Sequence, residues 1–189
     1  DETGGNVLLI DGDKQANAND FANARYEERG GVGFACTRAV GKDIPRQVKE
    51  ERDRYSHIII DAGGQDNPSL RAALTVANRV IVPVPPKPLE LWALSAFEEL
   101  LESAQITNPD LQEQVFINMG RDRGRNNAAA QTYIKENHPG LNLIAPVVVN
   151  RTIWADAAGL GLSVLEARPR DKKAETEFNA YFTAITEGV

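Results

Sequence analysis

Two apolar runs in this chain are each followed by acidic residues and glycines, a combination that suits the binding of cations or phosphate groups. The first run, residues 7–10, leads into Asp11 and Asp13, and the second, residues 58–60, leads into Asp61. Uninterrupted runs of branched apolar residues are typical of strands buried on both faces of a parallel sheet. Ligands bind outside the carboxyl ends of such strands, so these carboxylates point to a site for a metal ion, a metal-bound phosphate or an activated water. The alternative is that each strand ends in an ordinary turn, since Asp and Gly both favour turns.

The length and charge of the chain limit its class. With 189 residues it is most simply a single domain spanning residues 1–189. The net charge of −6 argues against a protein that coats nucleic acid through bulk charge, although a local basic patch is compatible with it. The one cysteine, Cys36, excludes an internal disulfide and a zinc site built from cysteines. No apolar run approaches membrane-spanning length and no signal peptide is evident, so we expect a cytoplasmic protein.

Apolar runs alternate along the chain with segments of helical period. We predict strands at residues 7–10, 33–40, 58–61, 79–84, 115–119 and 143–149. We predict helices at residues 16–28, 43–55, 69–78, 89–103, 127–137, 153–160 and 172–187. Strands that alternate with helices form right-handed crossovers, which give an α/β fold with a mostly parallel sheet and helices on both faces.

The order of the motifs resembles the ParA/MinD family of partition ATPases, whose fold is of the P-loop NTPase (SIMIBI) type. The segment VLLIDGDKQANA is similar to the family's second acidic motif, although Lys14 stands where proline is usual, and HIIIDAGGQ is similar to its Walker B strand and glycine turn. The later segments VIVPVPPKPLELWAL, VFINM and GLSVLEARPRDKKAETEF also resemble the family and follow in its order. The likeness covers nearly the whole chain, and short plasmid-partition ParA proteins fit best.

The family's defining element, a strand, a phosphate loop and a helix, has no counterpart in these residues. Such a unit needs about 30 residues, whereas six precede Val7. Residues 29–35 imitate the glycine spacing of the loop, but Phe34 and Ala35 stand where lysine and threonine must bind phosphate and Mg²⁺. We therefore expect residues 1–189 to be N-terminally incomplete, with an unfilled slot between two strands of the sheet, one of them ending in Asp61.

The resemblance implies a role for each candidate site residue. Asp61 is expected to hold Mg²⁺ through a water, with Asp11 supporting the metal shell, and Asp13 to orient or activate the attacking water. Gly64 is expected to offer its backbone N–H to the γ-phosphate, and Asn118 to contact the adenine edge. The alternatives are that Asn118 caps the next helix and that Gly64 only shapes a turn.

The resemblance further implies a Mg²⁺-dependent ATPase that binds ATP and ADP, forms an ATP-dependent homodimer and drives plasmid or chromosome partitioning. Its expected protein partner is a ParB-like centromere-binding protein. Basic residues at positions 121–125 and 168–173 are candidates for non-specific DNA contact, with an ordinary solvated surface as the alternative. MinD-type relatives bind membranes through a basic C-terminal helix, but residues 183–189 contain no lysine or arginine, so we expect no membrane binding.

Two other classes of protein compete with this interpretation. A ParA-like fold without nucleotide hydrolysis would act only as a binding module. A signalling receiver domain would also use acids after two strands, and Asp11, Asp13 and Asp61 imitate that layout. Receivers, however, place a lysine after the fifth strand, where this chain has Pro146 and Asn150.

Overall fold

Parallel strands alternate with helices throughout residues 6–64, 66–123 and 125–186, which are the residues that the computed structural model describes. The strands are β1 (Val7–Asp11), β2 (Ala35–Arg38), β3 (His57–Asp61), β4 (Arg79–Val84), β5 (Gln112–Gly120) and β6 (Leu143–Val149). Every strand pairing in this part of the chain is parallel, as the alternating pattern predicts. The α/β class predicted from the sequence is therefore present.

The helices begin close to their predicted positions, and some end earlier. They are α1 (Asn17–Arg29), α2 (Asp43–Glu51), α3 (Pro68–Leu74), α4 (Pro88–Trp92), α5 (Leu94–Gln105), α6 (Asn126–Asn137), α7 (Thr152–Gly159) and α8 (Lys172–Thr186). The predicted helix at residues 89–103 is two helices, because α4 ends at its C-cap residue Ala93. None of the helices described is long and apolar enough to cross a membrane.

The chain divides into two compact units, each with its own sheet. The first unit extends to residue 77 and adds residues 104–109 and 159–161, and its strands lie in the order β2-β1-β3. Its core consists of side chains from β1 packed against α2. Leu8 and Ile10 of β1 and Ile44 of α2 are at most 3% exposed, and the half-buried Val48 and Tyr55 pack against them. This core fixes the positions of the carboxyl ends of β1 and β3.

The second unit contains residues 78–103, 110–158 and the segment after residue 161, and its strands lie in the order β4-β5-β6. Val115 and Ile117 of β5 are completely buried. Helix α8 packs along β6, and the Arg151 guanidinium binds the Glu177 carboxylate of that helix at 2.6 Å. The same carboxylate accepts the Val149 backbone N–H at 3.1 Å, so one acidic residue joins α8 to the end of β6.

In the part of the chain that the structure describes, three of the four edge strands of the two sheets, β3, β4 and β6, are made largely of apolar residues. Among the described residues β3 pairs only with β1, and β4 pairs only with β5. The side chain of Ile59 is 54% exposed and that of Ile81 is 36% exposed, so the prediction that these strands are buried on both faces is wrong for the described residues. Pro83 lies in β4, where the missing N–H is tolerated because the strand is an edge. The predicted slot between two strands, one of them ending in Asp61, stays a prediction, although β3 has an edge without a partner among the described residues.

Candidate functional site

The carboxyl ends of β1 and β3 lie side by side in the first unit. Asp11 and Asp61 are direct partners in the parallel register, as the two sequence motifs predict. The Gly12 N–H donates to the Asp61 carbonyl oxygen at 2.7 Å, which extends the pairing one residue beyond β1. The Ala39 N–H donates to the Asp11 carbonyl oxygen at 3.1 Å, so the segment after β2 meets the same edge. The two acidic strand ends therefore meet in a junction of three strand ends, and the role predicted for them stays a prediction.

Asp11 organises the loop between β1 and α1. Its side chain is completely buried, and its two carboxylate oxygens accept backbone N–H groups from Asp13 at 3.2 Å and from Asn19 at 2.9 Å. Asn19 is in the first turn of α1, whose N-cap residue, Ala16, has a left-handed conformation and no side-chain acceptor. A carboxylate is favoured at a helix N-terminus, so Asp11 supplies the acceptor that the cap residue lacks. The metal role of Asp11 stays a prediction, and its oxygens already have backbone donors.

Asp13 faces the turn that follows β3. One of its carboxylate oxygens accepts the Gln15 N–H at 3.1 Å. The other lies 3.0 Å from the point where a Cβ at Gly63 would be, and Gly63 has a φ of +76°. A side chain at Gly63 would meet the Asp13 carboxylate and would strain the backbone. Gly63 is thus a site residue that the sequence reasoning missed, although the pair of glycines after the strand was the visible signal.

The surroundings of Asp61 shift the pKa of its carboxyl group. Burial raises the pKa of its carboxyl group above the ordinary value, and the neighbouring charges of Asp11 and Asp13 raise it further, while a hydrogen bond from the Gly63 N–H opposes the shift. A raised pKa in the folded state means that the group favours folding when protonated. This contribution is complete below the ordinary pKa and is lost as the pH rises through the raised one. The ionised form of this carboxyl group is therefore one that a nearby cation would stabilise.

The donor set fits a magnesium ion held in part by other ligands. Within the described ranges no three His, Cys, Asp or Glu side chains are arranged to hold a metal ion. Mg²⁺, however, is usually bound by one or two carboxylates and completes its shell with waters and substrate phosphates. Asp61, half-buried beside two other carboxylates, suits that role, with Asp13 close to the same turn.

Gly64 lies exposed at the turn after β3, with no atom within 4 Å of the position that a Cβ would occupy. Its backbone is open to approach, which suits the predicted contact with phosphate, but that contact stays a prediction. Gln65, the last residue of the predicted motif, is outside the described residues. Asn67 then begins α3, because its side-chain oxygen accepts the N–H groups of Ser69 at 2.8 Å and Leu70 at 3.0 Å.

Asn118 lies in the second unit, on β5 and two residues before the strand ends. Its side chain is partly exposed, and the next residue, Met119, has a φ of 54° within an irregular part of the pairing with β6. The alternative role as a helix cap is wrong, because α6 begins at Asn126 with Arg125 as its N-cap residue. The predicted contact with adenine stays a prediction.

The two basic clusters differ in how far acidic residues neutralise them. In the second cluster the Arg170 guanidinium binds the Glu175 carboxylate at 2.5 Å, and the Lys173 ammonium binds Asp122 at 3.1 Å. These ion pairs lower the pKa of Asp122 and of Glu175. The first cluster contains Arg121, Arg123 and Arg125, all of them exposed, while Gly124 is outside the described residues. The first cluster is therefore the better candidate for phosphate contact.

The chain is similar to known proteins both in sequence and in structure. No family model matches the chain. The maintenance of carboxysome distribution protein A of Halothiobacillus neapolitanus is 29% identical over 148 residues, which are 76% of this chain and 66% of that protein, just under two thirds of its length.

Solved structures resemble the chain along most of its length. A Cyanothece McdA variant in complex with ATP matches with a TM-score of 0.76 at 14% identity, over 96% of this chain and 85% of the other. MinD of Pyrococcus horikoshii OT3 in complex with Mg-ADP matches with a TM-score of 0.70 at 17% identity, over 95% of this chain and 83% of the other. At these identities the likeness shows the fold, and it confirms the predicted fold class.

We expect Asp11 and Asp13 to differ in what their removal costs. Asp11→Ala removes a completely buried carboxylate and leaves the N–H groups of Asp13 and Asn19 without this acceptor, so it should lower the free energy of unfolding by about 2–4 kcal/mol. Asp13→Ala loses one exposed hydrogen bond and also relieves repulsion with Asp61, so its effect should stay within about 1 kcal/mol. Urea unfolding of the natural full-length protein measures both. Equal losses in the two variants would contradict the structural role of Asp11.

Proposed function

We propose that this chain, whose resemblance to the ParA/MinD ATPase family is confirmed, binds and hydrolyses ATP in order to position a cargo within the cell. The observation that carries the proposal is the junction at the ends of β1 and β3. There the Asp13 carboxylate faces the Gly63 turn, beside the half-buried Asp61. Acidic groups converging on a glycine turn at strand ends suit a magnesium-bound phosphate better than an ordinary surface turn.

The proposed cofactors are ATP, ADP and Mg²⁺, and the residues would share the chemistry as follows. Bound Mg²⁺ would neutralise charge on the phosphate oxygens. Asp61 would hold that ion through a water, and Asp11 would keep the loop of Asp13 in place. Asp13 would orient the attacking water and accept its proton. Gly64 would donate its N–H to the terminal phosphate, and Asn118 would contact the base. Phosphoryl transfer depends mainly on such positioning and charge neutralisation.

The cargo is proposed from the relatives' names. The curated relative is named for the maintenance of carboxysome distribution, and a solved neighbour is the MinC:MinD cell division complex of Aquifex aeolicus. These names favour the positioning of a large intracellular body through a partner protein. Plasmid or chromosome partitioning with a ParB-like partner, the function expected from the motifs, finds no support in these names and is the second candidate. The exposed arginines of residues 121–125 remain candidates for contact with DNA phosphates.

Three observations favour an ATPase over the alternatives. Solved structures that resemble the chain include complexes with ATP and with Mg-ADP. A receiver domain needs two acids free to bind a metal ion, whereas both Asp11 oxygens accept backbone N–H groups. A binding module that does not hydrolyse ATP would not need the Asp13 carboxylate next to the Gly63 turn.

The proposal includes a homodimer that forms with ATP and separates after hydrolysis. Nucleotide would then act as a switch because it binds one state better than the other. We expect sedimentation of the full-length protein to show a dimer with a slowly hydrolysed ATP analogue and a monomer with ADP. A monomer in both conditions at tens of micromolar protein would remove the switch from the proposal.

We also propose that residues 1–189 belong to one nucleotide-binding domain completed by a further strand, a phosphate loop and a helix. Support comes from the edges of β3 and β4, which have no pairing partner among the described residues, and from Ile59 of β3, which is 54% exposed. Exposed apolar edges are a liability that native proteins cover. In the natural full-length protein, hydrogen exchange should therefore protect both edges of β3. The matched control is β2, which is also an edge strand and should exchange faster. Exchange of β3 as fast as that of β2 would contradict the added strand.

Hydrolysis itself is tested with Asp13→Ala in the natural full-length protein. Nucleotide binding should persist, while turnover should fall on the order of 100-fold or more, because the water loses the group that orients it. Asp20→Ala, which removes an exposed acid in the first turn of α1, is the matched control and should leave turnover unchanged. A wild-type protein that binds ATP without hydrolysing it would instead favour the binding module. Normal turnover in Asp13→Ala would remove that residue from catalysis.

A further inference from the structure

Three contacts define the turn after β3. The Gly12 N–H donates to the Asp61 carbonyl oxygen at 2.7 Å, and the Gly63 N–H is near enough to the Asp61 carboxylate to lower its pKa. The carbonyl oxygen of Ala62 accepts a hydrogen bond from the Asn67 side-chain Nδ2 at 3.0 Å. The Asn67 amide also lies against Gly63, with Nδ2 at 3.6 Å from the position that a Cβ there would take.

The bonds to Ala62 and Gly63 act on a single rigid group. The Ala62 carbonyl and the Gly63 N–H belong to one planar peptide unit, in which the two bonds point in opposite directions. A donor that fixes the carbonyl on one side therefore fixes the direction of the N–H on the other. In this turn Asn67 holds the carbonyl, and the N–H is on the side of the Asp61 carboxylate, whose pKa it lowers.

Gly63 makes this control necessary. Its φ of +76° belongs to the left-handed region, which glycine occupies as readily as the right-handed one. A peptide unit before glycine can rotate between two turn types at little steric cost. After such a rotation the carbonyl oxygen of Ala62 would face the Asp61 carboxylate, and the N–H would be lost to it.

We propose that Asn67 is a positioning residue, which holds the Ala62–Gly63 peptide so that its N–H fixes the Asp61 carboxylate for the metal. This inference rests on the proposed function of Asp61. The choice of residue supports it, because Ser, Thr and Asp would also accept the N–H groups of Ser69 and Leu70 as helix caps. Among the residues that cap well, only asparagine adds an amide donor to that acceptor. Asn67 thus joins the start of α3 to the turn in front of it.

The variant that separates the two tasks is Asn67→Ser in the natural full-length protein. The serine hydroxyl still caps α3, but its side chain is one atom shorter and lacks the amide that reaches Ala62. Asn67→Ala removes both the cap and the donor. The matched control is Asn108→Ser, because the Asn108 amide donates to Leu74 at 2.9 Å and to Ala77 at 2.8 Å, at the other end of α3. That control loses hydrogen bonds in the same unit without touching the turn.

Three measurements are expected to separate positioning from stability. In Asn67→Ser the Mg²⁺ concentration for half-maximal ATP hydrolysis should rise about 10-fold, while the urea midpoint stays near that of the wild type. The Gly63 amide, followed by NMR, should exchange its hydrogen about 10-fold faster, because the Ala62–Gly63 peptide is held less well. Asn108→Ser should lose stability and keep the wild-type Mg²⁺ dependence and Gly63 exchange.

The outcomes distinguish this inference from the function on which it rests. If the wild-type protein did not hydrolyse ATP, the proposed function would be wrong. The exchange rate of the Gly63 amide would still test whether Asn67 holds the peptide. Unchanged Gly63 exchange in Asn67→Ser would overturn the inference. Faster exchange with an unchanged Mg²⁺ requirement would also overturn it, because the peptide would then move without affecting the metal ligand.

Discussion

The fold of the first unit depends on how a completely buried carboxylate is satisfied. Asp11 lies at the end of the central strand, where a charge without partners would be very unfavourable. It is accommodated because the backbone N–H groups of Asp13 and Asn19 converge on its two oxygens. The bond to Asn19 sets where α1 begins, and the bond to Asp13 curls the loop toward β3. The placement of the Asp13 carboxylate against Gly63 follows from that curl.

Much of the fold could be predicted from local patterns. The positions of β4 and β6 agree with the apolar runs, and Asn67 begins α3 as its residue type suggests. Such patterns depend on neighbours within a turn or a strand. They could not show that the predicted helix at residues 89–103 breaks at Ala93, since nothing in its apolar spacing marks the break.

The site was predicted less completely, for a related reason. Strand ends identify Asp11 and Asp61 because parallel register brings them together. The structural task of Asp11 was not visible, since it depends on an N–H eight residues away that a loop returns to the strand end. The hydrogen bond from Asn67 to the Ala62 carbonyl could not be predicted either. The turn between these residues contains two glycines, and no sequence pattern specifies their conformation. Local sequence patterns do not reveal a side chain whose role is to bind a backbone group several residues away along the chain.

The carboxylates that make the site suitable for a cation repel one another. This repulsion lowers the stability of the fold when no cation is bound. Asp11 cannot move away from Asp61, because the register of β1 and β3 fixes their spacing and the N–H partners of Asp11 anchor it. The Gly63 N–H offsets part of the resulting repulsion, and the pKa of Asp61 nevertheless remains raised. Repulsion between carboxylates that the sheet holds together can be relieved by a proton or by a metal ion. A bound cation would relieve the repulsion without protonation of the carboxyl group. The register of the sheet itself therefore makes the carboxyl ends of β1 and β3 a place where a cation would be stabilising, before any direct contact with phosphate is made.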